Sequence, residues 1–323
     1  MAEQGIRTTV VVVPRESFNM FPEVVERIYN LTSPIFKMII MEGNAPEPIR
    51  AQLRKTEASQ STCKIVWSEK WLFPHDAVNQ ALPLVDTEYV VFIDNDVEVL
   101  EGWLEEMVAA ADQEKANCVH PIYLTTRAHA TPRKIHIAEG KMVREKRNGK
   151  WFIDTHATYS GVKLEDYPHS APRSSDFFEW HCVLFRKTLL DKLGPLDDMT
   201  IAEHMDYSLR IEKLGERILL VPKAVVAYDY ERIWKFRGLD REYMLFRWDV
   251  AKAGKSLDLL TKKWNLVDES TARRRYWVKE HSAKVRSTYP VPRVINKIRR
   301  TIGMKNMDLV PGETKPERLK IAD

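Results

Sequence analysis

The sequence predicts an α/β fold: a mostly parallel sheet flanked by helices, with a helical basic extension at the carboxyl end. Two observations carry the first part. Short β-branched and apolar runs alternate with stretches of helical periodicity through the first hundred or so positions, the pattern of a parallel sheet with crossover helices. The run Tyr89-Val90-Val91-Phe92-Ile93 is apolar or aromatic throughout, as in a strand covered on both faces. It leads straight into Asp94-Asn95-Asp96. The extension rests on composition. From Arg273 to Lys305 the only acid is Glu280, among eleven lysines and arginines, against a net charge of +4 for all 323 residues.

In chain order, Thr8-Thr9-Val10-Val11-Val12-Val13 is a first buried strand closed by Pro14. Glu23 to Leu31 places Val24, Ile28 and Leu31 on one helical face. Lys37 to Met41 is the second strand, ending in the turn Glu42-Gly43-Asn44. Ile49 to Thr56 forms a helix, Cys63 to Trp67 a third strand, and His75 to Leu82 a helix before the strand that reaches Asp94. A further helix opens at Gly102-Trp103. The middle, about His120 to Asp176, is irregular, with a hairpin expected at Arg147-Asn148-Gly149-Lys150 because Asn-Gly suits a two-residue turn. Val183 to Arg186 is a strand, and the helix from Thr188 ends at Gly194-Pro195. Ala202 to Leu214 is helical up to Gly215, and Arg217 to Val221 is again a strand.

A content of 44% hydrophobic and 30% charged residues excludes a disordered chain. No apolar stretch approaches the ~18 residues that span a bilayer, and Met1 to Gly5 lacks the charged and apolar segments of a signal peptide. Cys63, Cys118 and Cys182 are few, odd in number and far apart, which points to a reducing, cytoplasmic setting without a zinc site or disulfide framework.

Carboxylates at the end of a buried strand sit where open α/β sheets bind ligands. Asp94 and Asp96 offer hard oxygens suited to Mg²⁺ or Mn²⁺. The plainer reading of the same residues is a turn.

Four segments in this order make the chain resemble the family-two glycosyltransferases of the Rossmann-like GT-A fold. They are the strand ending at Pro14; the acidic turn Glu42-Gly43-Asn44; Ala77-Val78-Asn79-Gln80-Ala81-Leu82 through Asp94-Asn95-Asp96 to Gly102-Trp103-Leu104; and Leu193-Gly194-Pro195-Leu196-Asp197 followed by Glu203-His204-Met205-Asp206 and Gly215-Glu216-Arg217-Ile218. The resemblance covers about Thr8 to Tyr230. It implies a catalytic domain over residues 1–266, with a nucleotide-binding half to about 118 and an acceptor half from about 119. Residues 267–323 then form the basic extension.

The resemblance also implies roles. Pro14, Arg15, Glu42, Asn79, Asp94 and Asn95 fall on the nucleotide-sugar side. Glu42 stands where an aspartate is usual, and a turn carboxylate is its plainer reading; for Asn79 that reading is a polar helix surface. Asp96 is the expected direct metal ligand, with Asp94 on the ribose or a metal-bound water. Asp229, after Ala224-Val225-Val226-Ala227 and Tyr228, stands in for a late metal-binding histidine or simply ends the strand. An inverting transfer needs a base for the acceptor hydroxyl. The usual Glu-Asp-x-Asp reads here Glu203-His204-Met205-Asp206, which leaves Glu203, His204 and Asp206 as candidates, with Asp206 slightly ahead of Glu203. Trp180 and His181 match acceptor contacts, Trp180 equally a buried packing residue.

The implied activity is a metal-dependent hexosyltransferase of polysaccharide biosynthesis. It would use a nucleotide sugar, UDP-linked by preference, and a glycan or lipid-linked acceptor. A nucleotidyltransferase would want a glycine-rich, lysine-containing phosphate loop, and none follows Pro14. A degenerate nucleotide- or sugar-binding relative, kept open by His204 and by the missing late histidine, or a nucleic-acid binder working through the basic tail, is the other alternative. In the extension, Val294, Ile295, Ile298 and Ile302 share a helical face, with Arg293, Lys297 and Arg300 toward the other. That suits peripheral contact with the inner face of a membrane, or a helix packed on the catalytic domain with a solvated basic face. No nucleic-acid module is recognisable, and Pro311 to Asp323 is expected to be loosely held.

Overall fold

A computed structural model describes residues 5–33, 35–233, 240–287, 290–304 and 316. Apart from residue 316, the expected loose tail at 311–323 lies outside the described residues.

The first part alternates as its periodicity predicts: β1 (Thr8–Val13), α1 (Phe21–Asn30), β2 (Lys37–Met41), α2 (Glu47–Ser59), β3 (Cys63–Val66), α3 (Pro74–Ala81) and β4 (Tyr89–Asp94). Then come β5 (Val97–Val99), α4 (Trp103–Gln113), β6 (Cys118–Leu124) and β7 (Ile135–Ile137). The hairpin β8 (Gly140–Arg147) and β9 (Lys150–Ala157) turns at Asn148 and Gly149, both at positive φ as a type I′ turn requires. β10 (Arg173–Ser175), β11 (Cys182–Arg186), α5 (Lys187–Leu193), α6 (Glu203–Lys213) and β12 (Ile218–Tyr228) follow. Last are α7 (Tyr230–Ile233), α8 (Asp240–Arg247), α9 (Val250–Lys263), α10 (Glu269–Ser287) and α11 (Pro290–Thr301).

The main sheet has the order β10-β12-β6-β11-β4-β1-β2-β3, with β5 beside β12 and β7 beside β6. β3, β2, β1 and β4 are mutually parallel, as the sequence predicts. β11 enters antiparallel between β4 and β6. β4 has hydrogen-bonded neighbours on both edges, and every residue from Tyr89 to Asp94 is buried, as in a strand covered on both faces.

This topology gathers chemistry at one edge. Val13 pairs with Asp94, so β1 and β4 end together, and Cys182 pairs with Ile93, which sets His181 beside Asp94 at the start of the antiparallel strand. A buried cluster beneath includes Val13, Phe92, Trp180 and Tyr207.

Two compact units result: residues 1–142, 155–198 and 203–240 in one, and 143–154, 199–202 and 241–323 in the other. The sequence places a boundary near 266; by contacts α9 groups with α10 and α11. In the second unit the hairpin tip is held by Trp151, whose amide donates to the Asn265 carbonyl at 2.9 Å and whose carbonyl accepts from the Val267 amide at 2.9 Å. Arg273 pairs with Asp154 at 3.0 Å.

Candidate active site

The first unit contains the site, and its centre is the turn after β1 folded onto the end of β4. The Asn95 amide donates to the Val13 carbonyl at 2.8 Å. Asn95 Oδ1 accepts from the Arg15 amide at 2.9 Å, and its Nδ2 donates to the Ser17 carbonyl at 3.2 Å. Asp96 Oδ2 accepts the Glu16 and Ser17 amides at 3.0 and 3.2 Å. Asn and Asp side chains satisfy backbone donors of turns in this way, so both residues between β4 and β5 fix the fold of the loop above them.

Asp240, first residue of α8, braces the same loop further along. It accepts from Ser17 Oγ at 2.9 Å, from the Phe18 amide at 2.8 Å, and from the Asn19 side chain. Pro14 is fixed sideways by the predicted acidic turn. Gly43 has φ +69, and a Cβ there would stand 2.7 Å from Pro14 Cγ, so only glycine allows the approach.

The acids gathered here are buried. Asp94 and Asp96 are 0% exposed, Glu16 2% and Glu203 3%. One guanidinium stands among them: Arg15 Nε lies 3.6 Å from Asp94 Oδ2 and Nη1 3.3 Å from Glu203 Oε1. Burial opposes the charge on Arg15, but Asp94, Glu203 and Glu16 outweigh it and hold the guanidinium firmly protonated. His181 adds Nδ1 at 2.9 Å from Asp94 Oδ2, and its ring stacks on Tyr228 with centroids 4.2 Å apart. Tyr228 donates its hydroxyl to Glu16 Oε2 at 2.5 Å.

Positive charge stays short of negative. Burial first, then Asp94 and Glu16, push the Asp96 carboxyl well above the usual carboxylate range, against the pull of Arg15 and the Glu16 amide. Asp96 Oδ1 and Glu203 Oε2 are buried without a hydrogen-bond partner. The free Glu203 oxygen is left for another role. The orphaned Asp96 Oδ1 at this depth is a hard carboxyl oxygen that suits a divalent cation, so the residues fit one. They do not enclose it: among the described residues no group of three or more His, Cys, Asp or Glu side chains is arranged to hold a metal ion. Other ligands would come from water or a diphosphate.

The remaining predicted residues have assigned work. Glu42 is fully buried and accepts from the Asn44 and Ala45 amides, from Arg50 Nε at 2.9 Å and Nη2 at 3.2 Å, and from the Ser68 amide at 3.1 Å. Asn79 clamps the Leu196 backbone, donating to its carbonyl at 2.9 Å and accepting from its amide at 2.8 Å. Asp229 accepts from Arg127 Nε at 2.9 Å and from the Arg232 amide at 3.2 Å. Trp180 is buried among Phe92, Phe178, Phe185 and Tyr207.

α6 separates the three base candidates. Glu203 points to Arg15. His204 Nδ1 lies 3.6 Å from Glu179 Oε2. Asp206 Oδ2 lies 2.6 Å from Arg210 Nη2, and that guanidinium also holds Asp197 and the Pro195 carbonyl. Glu16, Tyr228 and Asp240 are the residues the sequence reading passed over. None has a local signature, since each acts across more than two hundred positions of sequence.

Comparison with known proteins bears on the family and the fold. The family described as Glycosyl transferase family 2 matches residues 9–194. Among solved structures, GalNAc-T7 with UDP, GalNAc and Mn²⁺ is 14% identical with a TM-score of 0.59, over 94% of this chain and 55% of that one. The chain thus spans little more than half of that structure's length. The mannosyltransferase PcManGT from Pyrobaculum calidifontis, in complex with GDP-Man and Mn²⁺, is 13% identical with a TM-score of 0.54, over 93% of this chain and 81% of that one. At such identities the likeness establishes the fold, which is GT-A. No protein of curated function matches the sequence.

Proposed function

The chain belongs to glycosyl transferase family 2, and from that premise we propose that it is a metal-dependent, inverting glycosyltransferase. It moves a hexosyl group from a nucleotide sugar, UDP-linked by preference, to a hydroxyl of a glycan or a lipid-linked acceptor. Such an enzyme of polysaccharide assembly works at the cytoplasmic face of the membrane as a peripheral protein. One observation carries the reading: the buried pair Asp94 and Asp96 meets the loop after β1 and Glu203 at the carboxyl end of parallel strands.

In this reading the donor lies along the Pro14 to Ser17 and Asp94 to Asp96 backbones. Arg15, held protonated, neutralises the diphosphate as negative charge develops on it. Asp96 through Oδ1, with Asp94 beside it, would hold Mn²⁺ or Mg²⁺, which when bound supplies electrostatic stabilisation of the leaving nucleoside diphosphate. Glu42 and Asn79 shape the donor side through Arg50, Ser68 and Leu196 rather than by direct contact.

Glu203 is the base. Its Oε2 has no hydrogen-bond partner, whereas Asp206 is engaged by Arg210. The acceptor oxygen attacks the anomeric carbon on the face opposite the diphosphate. The new C–O bond forms as the sugar–phosphate bond breaks, and the acceptor's proton passes to Glu203. His181 orients Asp94 through Nδ1, and Trp180 packs behind it.

The test is thermal unfolding with UDP and Mn²⁺, on the wild type and Asp96→Ala, followed by transfer assays with a panel of nucleotide sugars. Metal-dependent stabilisation that the variant loses is the expected result. The absence of stabilisation by any nucleoside diphosphate with either cation would overturn the reading. A non-catalytic relative is the second reading, favoured by the Arg15 guanidinium standing between Asp94 and Glu203. It predicts stabilisation by nucleotide without turnover of any donor.

A further inference from the structure

Amphipathic helices ordinarily turn their apolar face to the core and their charges to water. In α11 the apolar face is the one left outside. Val294 is 54% exposed, Ile295 38%, Ile298 55% and Ile302 63%. At about 100° per residue these four fall within a sector of roughly 100°. Lys297 stands to one side of that sector and Arg299 to the other. The face continues past the helix end. The Ile302 amide donates to the Ile298 carbonyl at 3.1 Å, and the Met304 amide, beyond a left-handed Gly303, to Arg299 at 2.8 Å. Met304 is itself 49% exposed.

The charge along this stretch of the chain is of one sign. Between Glu280 and Asp308 there is no acidic residue, and there are seven lysines and arginines. A second copy of this chain would bring like charge against like charge. An apolar stripe with basic flanks and no acid matches an anionic lipid surface, where aliphatic side chains enter the acyl boundary and lysine and arginine reach the headgroups. No described helix is long and apolar enough to cross a membrane, so the contact lies in the plane of the surface.

We propose that α11 docks the protein on an anionic bilayer, with Val294, Ile295, Ile298 and Ile302 inserted and the basic residues on the phosphates. This docking does not rest on the transferase chemistry.

The full chain is mixed with vesicles of phosphatidylcholine alone, or carrying about 30% phosphatidylglycerol, and sedimented. Binding to the anionic vesicles should be at least about tenfold tighter and should weaken with added salt. Ile298→Glu with Ile302→Glu should abolish it, and Lys297→Glu should weaken it about fivefold or more. All three side chains are exposed, so the unfolding temperature and any stabilisation by UDP and Mn²⁺ should not change. Failure here and failure of the donor site are thereby told apart. Equal binding by wild type and the double variant would overturn the proposal. So would binding of oligonucleotides without binding of vesicles, or self-association that the double variant removes without any vesicle binding.

Discussion

Arg15 and Glu203 form a buried ion pair, Nη1 to Oε1 at 3.3 Å, across 188 positions of sequence. The same guanidinium lies 3.6 Å from Asp94. One arginine thus joins the end of β4 to the helix carrying the proposed base. Removing one partner of a buried pair costs more than the pair contributes, because the other charge stays behind.

Arg15→Ala should therefore destabilise the protein by about 3–5 kcal/mol, read by urea unfolding at neutral pH. Arg15→Lys should cost less, since a charge remains although the fork geometry is lost. Added Mn²⁺ should restore part of the loss in Arg15→Ala. A cost below about 1 kcal/mol would place the pair among solvent-screened bridges and contradict the burial seen here.

Asp96 predicts the direction of a pH effect. Its carboxyl titrates well above the usual range in the folded protein, chiefly because it is buried. A carboxyl raised in the folded state binds its proton more tightly there than in the unfolded chain, so stability falls as pH rises from the ordinary carboxylate value through the raised one. Each pH unit in that window costs about 1.4 kcal/mol. Asp96→Asn can still accept the Glu16 and Ser17 amides. It should flatten the profile and be the more stable protein at pH 7, while losing stabilisation by Mn²⁺ with UDP. Unfolding followed across pH checks the first point, and calorimetric titration with metal the second. A variant that still binds metal would remove Asp96 from the site.

Much of this was legible in the sequence because it is local. Tyr89 to Ile93 reads as a covered strand wherever it folds, and Asn148-Gly149 turns a hairpin with little help. The acids at the sheet edge follow from strand direction. What was illegible depends on distant pairing. β5 and β6 left no clear periodicity, β5 being three residues long and β6 buried throughout although it carries His120 and Pro121. Arg217 to Val221 and Ala224 to Ala227 read as two strands; they form one, β12, with a register shift between Val221 and Val225. The partners of Glu42 and Asn79 could not be foreseen either, since Ser68 and Leu196 supply backbone groups that any residue would offer.

Glu203 and Asp206 should separate in mutation. Glu203→Gln keeps the shape of the side chain and should lower transfer about 10²–10⁴-fold with nucleotide binding retained. Asp206→Asn breaks the contact with Arg210, which also holds Asp197 and the Pro195 carbonyl. That variant should lose about 1–3 kcal/mol of stability and less activity than Glu203→Gln. The opposite ranking, a stable but inactive Asp206→Asn, would return the base to Asp206.

Asp240 should act on the donor site without touching it. It holds Ser17 Oγ and the Phe18 amide at 2.9 and 2.8 Å, and the loop they belong to gives its Glu16 and Ser17 amides to Asp96. Asp240→Ala leaves those loop donors without their acceptor and frees the backbone that the nucleotide is proposed to lie along. Asp240 acts on the loop proposed to bind the donor and not on the reacting atoms, and loss of binding alone raises KM while kcat is kept. The dissociation constant for UDP with Mn²⁺ should rise about tenfold, with KM for the donor following and kcat changed less. Asp240→Glu, long enough to reach the Ser17 hydroxyl by a shifted path, should recover part of the loss. If calorimetry instead shows nucleotide affinity unchanged in Asp240→Ala while the unfolding temperature drops, Asp240 serves the fold of the first unit alone, and the loop after β1 keeps its shape through Asn95 and Asp96.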